Sequence, residues 1–203
     1  FTSMRIISGI YKGRHFSPPK NLKARPTTDV AKEGLFDILS HRIDFEEISV
    51  LDLFGGTGSI SLEFASRGCN KITLLELNSI NYAYIKKIIA ELDVKSINAF
   101  KTDSFRFLKT CKQSFDLIFA DPPYDHKELK NIPDMVFERE LLSAEAHGTV
   151  STLLLLAAFE SVVAGLHNGL LGHLEVLGLG TPVALGQLQG SISSLARHHC
   201  AFN

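Results

Sequence analysis

An α/β fold on an open, parallel sheet is predicted by three features of this sequence. Short apolar runs alternate with stretches of helical spacing, the pattern of parallel strands joined by right-handed crossovers. The run from Ile48 to Phe54 ends in a glycine-rich turn, Gly55-Gly56-Thr57-Gly58. Acidic residues then stand at or just beyond the ends of successive runs, as Asp52, Glu76, Asp103 and Asp121. At 203 residues, 45% hydrophobic and 21% charged with net charge −1, the chain reads as one ordinary domain or one domain with an appendage. That composition excludes a disordered or supercharged polymer.

Phe1, Thr2 and Ser3 precede Met4 and are expected to be a cloning remnant, outside the fold. Residues 4–28 form a basic N-terminal arm. Arg5, Lys12, Arg14, Lys20, Lys23 and Arg25 meet no acid before Asp29, and Pro18, Pro19 and Pro26 favour an extended or hairpin form. A local cation excess in a near-neutral chain points to a polyanionic partner, with a solvated charged face as the alternative.

The core is expected over residues 29–142. Thr28 or Asp29 caps a helix that buries Ala31, Leu35, Phe36, Ile38 and Leu39 and ends near His41. Ile48 to Phe54 reads as a buried strand because its apolar run is broken only by Ser49 and Asp52. A helix carrying Ile60, Leu62, Phe64 and Ala65 leads to Gly68, and Lys71 to Leu77 is the next strand. Asn78 caps a helix with Ile85, Ile88, Ile89 and Leu92 on its buried side. Ile97 to Lys101 is a weaker strand, Ser104 to Cys111 a short helix, and Phe115 to Ala120 a strongly apolar strand.

Composition changes near residue 142. Up to Leu142 there are 20 Lys and Arg against 19 Asp and Glu, whereas residues 143–203 hold one Arg, three acids and no lysine. This tail is rich in Leu, Gly and His, as if it came from another gene or reading frame; the alternative is a Leu-rich closing segment. Within it, Val150 to Leu156 reads as a fifth strand, and Phe159, Val163, Leu166, Leu170, Leu174 and Leu177 have helical spacing. The far edge of the sheet therefore depends on this atypical segment. Cys69, Cys111 and Cys200 are far apart with no CxxC pairing, which suggests neither disulfides nor a zinc site, and no metal is expected. With no signal-like or membrane-spanning run in view, a cytoplasmic monomer with no membrane partner is expected.

The chemistry falls at the carboxyl ends of the strands, where open parallel sheets bind ligands. Gly55 and Gly58 let a ligand approach the backbone ahead of a helix. A dinucleotide site would require another glycine at position 61, which is Ser, and the Asp52 carboxylate disfavours a pyrophosphate. The balance moves from NAD to S-adenosylmethionine, whose sulfonium and ammonium groups are cationic. Glu76 is suited to ribose hydroxyls. Asp103 is suited to an adenine amino group or, equally, to capping the helix at Ser104. In Asp121-Pro122-Pro123-Tyr124 the prolines stiffen the backbone, so the Asp121 side chain and the Pro122 carbonyl become two fixed acceptors for an exocyclic amine. Tyr124 adds an aromatic face for an unstacked base, and the plain alternative is a proline turn closing a strand.

Residues 4 to about 142 resemble the RsmD-type small-subunit ribosomal RNA guanine-N2 methyltransferases. The resemblance is carried by Met4-Arg-Ile-Ile-Ser-Gly-Ile-Tyr-Lys-Gly-Arg14, Arg25-Pro-Thr-Thr-Asp29, Asp52 to Ser59, and Asp121-Pro-Pro-Tyr124. It implies a seven-stranded, Rossmann-like S-adenosylmethionine-dependent fold with an N-terminal basic hairpin that grips ribosomal RNA or the small ribosomal subunit. It also implies cofactor contacts from Asp52, Gly55, Gly58, Glu76 and Asp103, with Thr28 at the methionine end, and amine positioning by Asp121 and Tyr124. The tail departs from the family's ending. Two other functions fit the same residues: a DNA amino-methyltransferase acting on adenine N6 or cytosine N4, and an inactive RNA-binding remnant of the fold.

Overall fold

The computed structural model describes residues 3–22, 27–121, 128 and 131–143, and the backbone of 152–156 and 174–178. The basic arm is a hairpin of β1 (Met4–Arg5) and β2 (His15–Phe16), paired antiparallel with Met4 opposite Phe16. Gly9 and Gly13, at φ 81° and 80°, take the left-handed conformations its turn requires.

The core then alternates as expected: α1 (Asp29–Ser40), β3 (Ser49–Asp52), α2 (Ser59–Ser66), β4 (Lys71–Leu75), α3 (Ser79–Glu91), β5 (Ile97–Phe100), α4 (Ser104–Thr110) and β6 (Leu117–Ala120). A further helix, α5 (Ile132–Glu138), follows with Pro at its start, where a missing N–H costs no helical bond. Two strands of the tail, β7 (Thr152–Leu156) and β8 (Leu174–Gly178), complete a six-stranded sheet of order β5-β4-β3-β6-β7-β8. β5 to β7 run parallel and β8 is antiparallel to β7.

Alternation along the strands divides the core into two layers. Val50, Leu117 and Phe119 join the layer with α1, α2 and α3, while Leu51, Ile118 and Ala120 join the one with α4 and α5. Each layer buries apolar side chains against one face of the sheet, so the strand ends, not the faces, remain for a ligand.

One expectation is corrected. Leu174 and Leu177 lie in β8, not on the helix that their spacing with Phe159, Val163, Leu166 and Leu170 suggested. Gly165, Gly169 and Gly172 weaken that helix by about 1 kcal/mol each relative to Ala. Residues 174–178 instead complete a backbone ladder with β7, from Thr152 opposite Gly178 to Leu156 opposite Leu174. The other four residues of the pattern lie outside the described residues. Among the described residues, no helix is long and apolar enough to cross a membrane.

Candidate active site

The strand order brings three of the predicted acids together. β3 lies between β4 and β6, with Asp52 opposite Leu74 on one side and Phe119 on the other. Asp52 thus closes the central strand, Glu76 follows β4 by one residue and Asp121 follows β6 by one. Asp52 is buried and accepts from Ser61 Oγ at 2.7 Å and from the Phe54 N–H at 3.3 Å. Burial pushes its carboxyl up from 3.8 to about 7; those two hydrogen bonds oppose the rise, and the nearby charges of Asp121 and Glu76 add to it.

The loop after β3 is held from both sides. Gly55 donates its N–H to Leu75 O at 2.8 Å, and a Cβ there would lie 2.6 Å from Leu74 Cδ2. Gly58, at φ 79°, starts α2 without a side-chain cap, so the first turn of that helix presents backbone donors that no capping side chain satisfies. Glu76 is buried and clamps this loop: Oε2 accepts from the Gly56 N–H at 2.8 Å and Oε1 from the Asn78 N–H at 2.6 Å. A carboxylate has about four lone-pair sites, so it retains capacity for ligand hydroxyls.

Asp103 caps α4, its Oδ1 accepting from the Arg106 N–H at 2.8 Å, and its partly exposed side chain follows β5 at the same edge of the sheet. Thr28 caps α1 by accepting from the Ala31 N–H at 3.3 Å. Its neighbour Thr27, which sequence reasoning missed, accepts from Ser59 Oγ at 3.2 Å and so ties the segment before α1 to the start of α2. Leu77 and Phe100 are 63% and 48% exposed beside Glu76, and the Glu76 N–H donates to Phe100 O at 3.0 Å.

Of the proposed arm contacts, Lys12, Arg14 and Lys20 are exposed, and Arg14 lies 3.6 Å from Glu91. Arg5, its side chain 42% exposed, donates from Nε to Asp29 Oδ2 at 2.9 Å. Asp121 is partly buried at the end of β6. Pro122, Tyr124, Lys23 and Arg25 lie outside the described residues.

A family model described as Conserved hypothetical protein 95 matches residues 4–153. The chain belongs to this family. Curated relatives carry methyltransferase names. Ribosomal RNA small subunit methyltransferase D of Buchnera aphidicola subsp. Baizongia pistaciae is 30% identical, with 71% of this chain and 74% of that protein covered. The protein of the same name from Haemophilus influenzae is 33% identical, with 70% and 75% covered. Among solved structures, the putative methylase HI0767 of Haemophilus influenzae matches with TM-score 0.58 at 28% identity, covering 76% of this chain and 81% of its own. The putative methyltransferase yhhF of Escherichia coli matches with TM-score 0.66 at 24% identity, covering 76% and 80%, and shares the fold. Members of this Conserved hypothetical protein 95 family are methyltransferases by these names, and the chain is one of them by sequence and by fold.

Proposed function

We propose that this protein transfers a methyl group from S-adenosylmethionine to the exocyclic N2 amine of a guanine in small-subunit ribosomal RNA. The observation that carries the reading is the convergence of Asp52, Glu76 and Asp121 at three adjacent strand ends around a glycine loop that opens α2. Relatives named for methylation of small-subunit ribosomal RNA support the substrate class. A neighbour of the same fold, SMU.776, was crystallised with S-adenosylhomocysteine, which supports the donor.

The residues present fit this donor. Gly55 lets the loop pack directly against Leu74, and three carboxylates surround a place suited to cationic groups. Glu76 would accept ribose hydroxyls, Asp103 an adenine amino group, and Leu77 with Phe100 would flank the flat ring with apolar surface. Thr28, Gly55 and Gly58 would line the methionine end. S-adenosylmethionine would supply a methyl group made electrophilic by its sulfonium. Asp121 and the Pro122 carbonyl would hold the guanine amine by its hydrogens, with its lone pair aimed at that carbon, and Tyr124 would stack the base. Arg5, Lys12, Arg14, Lys20, Lys23 and Arg25 would meet phosphates.

The test is methyl transfer to undermodified small ribosomal subunits with the product nucleoside identified by mass. N2-methylguanosine is the expected product. Methyladenine or methylcytosine in DNA, with no transfer to RNA, would overturn the reading.

A further inference from the structure

The hairpin and the glycine loop are joined through a single helix. At its start, Ser59 follows Gly58 and donates to Thr27 Oγ1. Toward its end, α2 grips the hairpin. Glu63 Oε1 accepts from the Ile7 N–H at 2.8 Å, Ser66 O from the Ile10 N–H at 2.7 Å, and Ser66 Oγ from the Tyr11 N–H at 3.0 Å. Gly9 rests so closely on α2 that a Cβ would fall 1.7 Å from Ser66 O.

Glu63 is 0% exposed and Lys32 1%, with Lys32 Nζ 3.2 Å from Glu63 Oε1. Lys32 also donates to Arg5 O, and Arg67 pairs with Glu63 Oε2 while its guanidinium lies 4.1 Å from the Phe36 ring centroid. One buried carboxylate thus bridges the hairpin, α1 and α2. Buried ion pairs contribute little net stability relative to apolar packing, but their directional bonds permit one arrangement and penalise others. From Gly58 to Ser66 is a rise of about 12 Å at about 1.5 Å per residue, too short and stiff a span to bend.

We propose that Glu63 and Ser66 are positioning residues: by clamping the hairpin to α2 they fix the distance from the arm's cations to the glycine loop, and so the register in which RNA is presented for methyl transfer. This rests on the reading that the arm grips RNA and the loop holds the methyl donor. The clamp acts through another group's placement, so its loss is read in turnover more than in either affinity.

Gly9→Ala tests this without altering a core residue, because the new methyl lifts the hairpin from Ser66. Ser66→Ala removes the hydroxyl bonds to the hairpin independently. With full-length protein, S-adenosylmethionine and undermodified small subunits, kcat should fall at least about tenfold in Gly9→Ala, while KM for RNA and the dissociation constant for the donor change less than about threefold. Hydrogen exchange supplies a readout free of RNA: the Ile7, Ile10 and Tyr11 amides should exchange slowly in the parent and rapidly in Gly9→Ala, with the Gly55 amide unchanged. An unchanged kcat, or a rise in KM alone, would overturn the register role. Fast exchange of the three amides in an active parent would overturn the clamp itself. A parent unable to methylate RNA would overturn the functional reading, and the register role with it, even where the exchange contrast holds.

Discussion

Replacing Asp52 by Asn removes a buried ionisable group while keeping one oxygen for the Phe54 N–H and turning the amide nitrogen to Ser61 Oγ, which can accept from it. Burial raises the carboxyl from 3.8 to about 7, so the folded protein without ligand keeps a proton that the unfolded chain has already released. The sign follows from that: the contribution of Asp52 to stability is full below about pH 3.8 and is lost as pH rises to about 7. The slope is about 1.4 kcal/mol per pH unit, so between about pH 5 and 7 the parent should lose about 2 to 3 kcal/mol that Asp52→Asn does not. Asp116, whose burial is outweighed by bonds from Ser49 Oγ and the Ser49 N–H, is held low in both proteins and cancels in the difference. Urea unfolding of the two proteins at several pH values gives that difference directly. A cationic ligand that requires the ionised form should bind the parent about tenfold more weakly at about pH 6 than at about pH 8, releasing a proton. Parallel stability curves for parent and variant from about pH 5 to 7 would refute the assignment of a neutral, buried carboxyl at this position.

Glu76→Ala removes the acceptor of the Gly56 and Asn78 amides as well as the ribose contact, and charge-assisted bonds of this kind are worth about 1.5 to 3 kcal/mol each. S-adenosylmethionine titration should show at least a tenfold loss, and a change below about threefold would contradict the role. For Asp121→Ala, single-turnover methyl transfer should fall about 100-fold with donor affinity little changed; a rate near that of the parent would return the element to a strand-ending turn. Charge reversal at Lys12 and Arg14 should weaken RNA binding and flatten its salt dependence, as fewer counterions are released, without touching donor affinity. Lys32→Met leaves Glu63 with Arg67 as its remaining cation and should cost about 3 to 5 kcal/mol of stability in urea unfolding, with an unchanged midpoint arguing against a buried pair.

Features governed by neighbouring residues were legible from the chain alone. Asn78 and Asp103 cap the helices they precede, because a short acceptor side chain two or three residues before a free N–H acts locally. Gly58 takes the left-handed turn for the same reason: its backbone conformation depends on what it lacks, not on what surrounds it. The alternation of strands and helices, set by apolar period, likewise placed Asp52, Glu76 and Asp121 at strand ends. Sequence could not say that those three ends are adjacent, which follows from the strand order β4-β3-β6, nor that burial, with a smaller push from the neighbouring charges, raises Asp52. Lys32 and Glu63 have the spelling of surface charges. Only the meeting of α1, α2 and the hairpin removes them from water and makes each the other's counterion. Leu174 to Gly178 carries a helical spacing yet lies in a strand, because a ladder to β7 satisfies its backbone where a glycine-interrupted helix would not. Local rules act through side chains a few residues apart. Burial, pairing and partner choice depend on distant segments, and for those the physical cause is the fold itself.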